Sequence, residues 1–153
     1  LRQLTNFTKS KKDKLQIYKV YITSVLEQSS VVWGSSLSKK NERELETVQK
    51  VAVRLIMGKY DSYEESLKSL KLQSLKERRN LLSVNFAKKC LKNENTKSIF
   101  KKNTKVHKMN LRKTPKFRVK NAKTVRMKKS AIINMTNQLN KHHEQKEEIF
   151  RCS

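Results

Sequence analysis

Between residues 10 and 33 the apolar positions Leu15, Tyr18, Ile22, Val25, Leu26 and Trp33 fall on one helical stripe. Ser10, three residues before Asp13, predicts a capping box at its start, and Gly34 with its neighbouring serines predicts its end. Trp33, the last large residue of the stripe, is expected to pack against the next helix. A second stripe, Leu45, Val48, Val51, Ala52, Leu55 and Ile56, predicts a helix from about Ser38 that stops at Gly58. Its remaining face alternates Lys39, Lys40, Arg43, Lys50 and Arg54 with Glu42, Glu44 and Glu46, which describes a solvated surface. Ser62 with Glu65 and Ser74 with Glu77 repeat the capping-box spacing. They open a short third helix burying Leu67 and Leu70, and a fourth carrying Leu75, Leu81, Leu82, Phe86 and Leu91.

Past residue 92 the pattern changes. From Lys97 to Lys129 there is no acidic residue, and Lys or Arg recurs every two or three positions. Pro115 interrupts helix formation, and "FRVKNAKTVRM" alternates as an extended segment would. The sparse apolar residues of this arm predict light packing across a bundle, without a core of its own. Helical periodicity returns through Ile132, Ile133, Met135 and Leu139, and the polar end is expected to fray. The expected architecture is therefore mostly α: a small four-helix bundle (residues 1–92), a basic, partly extended arm (93–129), and a short C-terminal helix with its tail (130–153).

Composition sharpens this picture. Two glycines and one proline in 153 residues disfavour a turn-rich β fold. The net charge of +24 draws the chain to polyanions and makes nucleic acid the natural partner. No run has the length and apolarity of a membrane span, and the Pro-containing arm fits surface binding to a membrane poorly. Cys90 and Cys152 lack ligand spacing; Cys90 reads as a buried thiol, and the usage suits a reducing intracellular compartment, nuclear or cytoplasmic. A chain that begins at Leu1 inside an apolar pattern reads as part of something larger.

Catalytic groups do not converge in the sequence. No Asp-Asp or Asp-x-Asp pair is present to hold magnesium ions for nucleotidyl transfer, and Gly34 and Gly58 are isolated, so no phosphate-cradling loop is expected. His142 and His143 are adjacent, which points them in different directions on a helix; two solvated histidines are expected there, and His107 lies within the basic arm. The expectation is a non-enzyme with no cofactor, no metal and no small-molecule substrate.

The order of four short motifs resembles the segment downstream of the polymerase core in non-LTR (LINE-type, jockey-like) retrotransposon reverse transcriptases. The matching positions are Tyr18, Leu26, Glu27 and Trp33, followed by Val48, Gln49, Arg54, Leu55 and Ile56. Leu70, Leu72, Leu75, Arg78 and Arg79 come next, and Thr124, Arg126, Ser130, Leu139 and Asn140 close the series. Lys71 replaces a glycine usual in that family, and Asn134 replaces a common proline. The resemblance covers about residues 1–140 and implies a thumb-like region and tail without the palm, whose Tyr-x-Asp-Asp motif lies upstream in the family. The parent activity it implies is RNA-directed DNA synthesis, with the upstream polymerase domain as a partner. It also implies that Val31, Val32 and Trp33 hold the first two helices at a fixed angle.

The function expected is phosphate-directed gripping of RNA or an RNA–DNA duplex, by charge and shape rather than base readout. The residues expected to carry it are Lys101, Lys102, Lys105, Lys108, Arg112, Lys113, Lys116, Arg118, Lys120, Lys123, Arg126, Lys128 and Lys129, with Arg78 and Arg79 on the bundle. Phe100 and Phe117 either stack on bases or pack inward, and packing is the ordinary outcome for isolated aromatics. The competing expectation is a structural or protein-interaction helical remnant of a decayed element, with no retained activity.

Overall fold

Helices dominate a computed structural model that describes residues 10–58, 62–103 and 115–151. Their order is α1 (Lys11–Ile17), a π-helical turn (Tyr18–Ile22), α2 (Thr23–Glu27), α3 (Ser30–Trp33), α4 (Lys39–Met57), α5 (Tyr63–Ser69), α6 (Leu75–Lys92), α7 (Val125–Lys128) and α8 (Ala131–Arg151). Short 3-10 turns occupy Gly34–Ser36 and Lys97–Ile99. Among the described residues the extended backbone amounts to one antiparallel bridge, Lys102 opposite Phe117.

The chain divides into two units. The first holds residues 1–30 and 37–80, the second residues 31–36 and 81–153. This differs from the expected boundary at 92: the division falls inside α6, and the arm and α8 share one unit. The Val31–Ser36 segment also belongs to the second unit, where Val31 packs on the core, so it is not a spacer confined to the first two helices.

In the first unit Tyr18, Ala52 and Ile56 form the core, with Leu15, Ile22, Leu70 and Leu72 packed around them. The first stripe is not one unbroken helix. A π-helical turn lies within it, and Ser29, at φ 52°, breaks it between α2 and α3. Helix α4 begins where its sequence predicts, because the Ser38 side chain accepts from the Asn41 N–H; it ends at Gly58, whose φ of 74° suits the left-handed stop. Its buried face, however, runs through Gln49, Ala52, Val53 and Ile56, while Val48 and Val51 are exposed. Gln49 earns its buried place by hydrogen bonding: its Nε2 donates to the Gln73 carbonyl (2.9 Å), and its Oε1 accepts from Leu75 N–H (3.1 Å) and the Tyr63 hydroxyl (2.9 Å).

The predicted capping boxes fare differently. Ser74 and Glu77 form one in full, each backbone N–H donating to the other's side chain at 3.2 Å. Ser10 and Ser62 occupy cap positions without a side-chain cap bond. Helix α5 closes in a Schellman motif: Leu72 N–H donates to the Leu67 carbonyl (2.9 Å) and Lys71 N–H to the Lys68 carbonyl (3.1 Å). Lys71 takes the left-handed position of that motif, at φ 51°.

In the second unit the core contains Ala87, Cys90, Phe100, Phe117, Met135 and Leu139. The buried face of α6 there is Ser83, Ala87 and Cys90, whereas Leu81 and Phe86 are exposed. Cys90 is buried as expected; the two large residues assigned to the core are not. The arm also departs from its expected role, since Phe100 and Phe117 are 4% and 6% exposed and help build this core. Helix α8 runs 21 residues, so the expected short C-terminal helix is the longest one among the described residues, and it continues through the polar end that was expected to fray.

Candidate nucleic-acid interface

The arm is held by backbone pairing and by α8. Asn103 N–H donates to the Lys116 carbonyl and Arg118 N–H to the Lys101 carbonyl, both at 2.9 Å, flanking the Lys102–Phe117 bridge. In such a pair the bridged residues direct their own N–H and C=O away from each other. The outward groups of Phe117 are met by Asn140: Oδ1 accepts from Phe117 N–H (2.9 Å), and Nδ2 donates to its carbonyl (3.0 Å). Thr124 caps α7 by accepting from Met127 N–H.

This framework turns Phe100 and Phe117 in and leaves the cations out, while Ile99, Val125 and Met127 stay exposed. Lys101, Lys102, Lys116, Arg118, Lys120, Lys123, Arg126, Lys128 and Lys129 are all exposed. Among the described residues none of them has a carboxylate at ion-pair distance; the pairs formed involve Lys76, Arg78, Arg79 and Lys97. The carboxylates of the described residues therefore leave their field unneutralised, which suits a polyanionic partner. Lys105, Lys108, Arg112 and Lys113, with His107, lie outside the described residues.

Arg78 and Arg79, in the first unit, each meet a carboxylate of that unit. Arg78 grips Glu27 with both Nε and Nη2, the latter 2.9 Å from Oε2. Arg79 is buried at 6% exposure, with Nη2 3.7 Å from the Glu42 carboxylate. Both guanidinium groups serve the first unit's own packing, and Arg79 has no surface to offer a phosphate.

The paired histidines do diverge, each meeting a different lysine. The Lys88 ammonium lies 3.1 Å from His142 Nε2, and the Lys116 ammonium 2.7 Å from His143 Nε2. Both rings are half-buried rather than fully solvated, and each links α8 to another part of the second unit. Among the described residues no three His, Cys, Asp or Glu side chains group as metal ligands.

Two features escaped the sequence reading. One is the role of Asn140, a position the motif order marks without saying what it binds. The other is a concavity of about 450 Å³ in the second unit, lined by Lys101, Arg118 and Lys120 together with the apolar Ile99, Val119 and Ile132. Its residues come from three separated stretches of sequence, so no local pattern announces it.

Among the described residues no helix is long and apolar enough to cross a membrane. Comparison with protein families, with curated proteins and with solved structures finds no match for the chain.

Proposed function

We propose that the chain is a non-catalytic nucleic-acid-binding region that grips RNA or an RNA–DNA duplex by its phosphates, within a polymerase of the non-LTR retrotransposon type. The observation that carries this reading is the set of exposed arm cations, none with a carboxylate partner among the described residues, on a framework anchored by the buried Phe100 and Phe117. Phosphates are the repeating partner such a surface suits, and contacts to them position a duplex without reading its sequence. The retrotransposon assignment rests on motif order in the sequence. It draws support from Lys71, since the left-handed stop of α5 is a place where the family's glycine makes physical sense.

A second reading, a helical interaction module with no affinity for nucleic acid, has one observation in its favour. Ile22, Val48, Val51 and Leu55 line an open, nearly wholly apolar groove in the first unit. Such a surface is suited to another protein, and its presence does not depend on the arm.

The test is binding of a labelled RNA–DNA hybrid by the full chain and by a variant with Lys102, Lys123, Lys128 and Lys129 changed to Gln. Each lost phosphate contact lowers the slope of log affinity against log salt by about 0.9, so a loss of several is expected, equal for unrelated sequences. An unchanged slope in the variant would assign the contacts elsewhere. No binding by the unaltered chain at low salt would favour the interaction module.

A further inference from the structure

We infer that the concavity of the second unit is a subsite for one unpaired nucleotide of the bound nucleic acid, with its phosphate on the cationic edge and its base on the aliphatic lining. This deepens the proposed function and rests on it.

The volume, about 450 Å³, lies in the range of sites that enclose small organic molecules, roughly 300–1,000 Å³. Three cations, Lys101, Arg118 and Lys120, are among its lining residues. Together they exceed what a single carboxylate needs and suit a phosphodiester with its neighbours along a strand. Ile99, Val119 and Ile132 contribute apolar surface to the same lining, and Ile99 and Ile132 are each 41% exposed, so part of it is open to a ligand. A base is flat and apolar on its faces and polar at its edges. The Asn121 amide and the Thr136 hydroxyl are available to those edges, although Thr136 already donates to the Ile132 carbonyl at 2.7 Å and so offers acceptor capacity only.

The arm's aromatic residues cannot supply this contact. Phe100 and Phe117 are buried in the core, so neither face is free to stack on a base. Apolar surface next to cations is found in this lining, and also at Val125 and Met127 of α7, which line no concavity. Its position explains why the cations cluster around a depression, where a continuous duplex would ask only for a charged track. A fully paired duplex has no base to insert, so the subsite adds affinity only for a bulged or single-stranded nucleotide.

The experiment compares three labelled RNA–DNA hybrids bound by the full chain: fully paired, bearing one bulged adenosine, and bearing an abasic residue at that bulge. The bulged adenosine is expected to bind about tenfold more tightly than its abasic counterpart, within the range of a single base contact. Ile132→Ser and, separately, Ile99→Ser are expected to abolish that difference and to leave the fully paired hybrid unaffected; both positions are partly in water, so each variant keeps its core. Equal affinity for bulged and abasic hybrids, with the paired hybrid still bound, overturns the subsite alone. Failure to bind any hybrid overturns the phosphate-gripping reading beneath it as well. Loss of the adenosine advantage on adding laurate, but not on adding adenosine monophosphate, gives the concavity to a fatty acid and overturns the assignment.

Discussion

Asn140 on α8 stands in for a neighbouring strand, pairing with both the N–H and the C=O of Phe117 on the basic arm. Phe117 already spends its inner side opposite Lys102, so without Asn140 its outward backbone groups would be buried and unsatisfied. The clamp decides where the arm lies on the unit, and with it where Lys116 and Arg118 are displayed.

Removing the clamp should therefore be costly. Asn140→Ala is expected to destabilise the fold by about 2–3 kcal/mol, because two buried backbone groups lose their partner at once. Asn140→Asp should also destabilise, since it keeps the acceptor but sets a carboxylate oxygen against the Phe117 carbonyl. Urea unfolding measures both; a change below about 0.5 kcal/mol in either would show the clamp to be dispensable.

Much of the local structure was legible, and the faces of the helices were not. Ser38, Gly58 and the Ser74–Glu77 pair mark helix ends because a cap needs only residues near in sequence. The buried face of α4 was misjudged because Gln49 is polar, and only distant partners (Gln73, Tyr63 and Leu75) make its burial tolerable. In α6, Ser83, Ala87 and Cys90 face the core while Phe86 faces water, a choice of small over large that sequence patterning ranks the wrong way. The length of α8 went unread since its polar half carries no apolar stripe. Of the candidate interface, the arm's charge was plain from the sequence, but the concavity and the separate duty of Arg78 and Arg79 depend on tertiary neighbours.

Lys71 should be improvable. A side chain in the left-handed region costs roughly 1–2 kcal/mol, and glycine escapes this while adding entropy to the unfolded chain. Lys71→Gly is expected to stabilise the protein by about 0.5–1 kcal/mol, seen as a higher urea midpoint with unaltered cooperativity. A lower midpoint would mean that Lys71 makes a contact worth more than its backbone strain.

Arg78 separates folding from binding. Its paired hydrogen bonds to Glu27 are partly screened by water, so Arg78→Ala is expected to cost about 1–2 kcal/mol of stability. The salt slope of nucleic-acid binding should stay as in the unaltered chain. A lower slope would return Arg78 to the phosphate-contacting residues.

Alkaline pH should weaken the first unit through the buried Tyr18 and the half-buried Tyr63. Burial pushes the Tyr18 hydroxyl up, and Tyr63 is pushed far above the ordinary tyrosine range by burial and then by the Glu46 carboxylate beside it. Unfolded tyrosine ionises near pH 10, roughly. The stability these groups contribute is present in full below that pH and is lost as pH rises through the higher folded values, because the unfolded chain then binds fewer protons. The melting temperature is expected to fall between about pH 10 and 11, and to fall less in Tyr63→Phe, which shares the lysine background. Equal losses in both would remove Tyr63 from this account.

The central claim is that the exposed cations of the arm bind nucleic acid through its phosphates. Its most direct measurement is the affinity of the purified chain for a labelled RNA–DNA hybrid as salt rises from about 50 to 200 mM, where contact with some six to ten phosphates predicts a fall of roughly 10³–10⁵. A salt-independent affinity, or no detectable binding at the lowest salt, would contradict it.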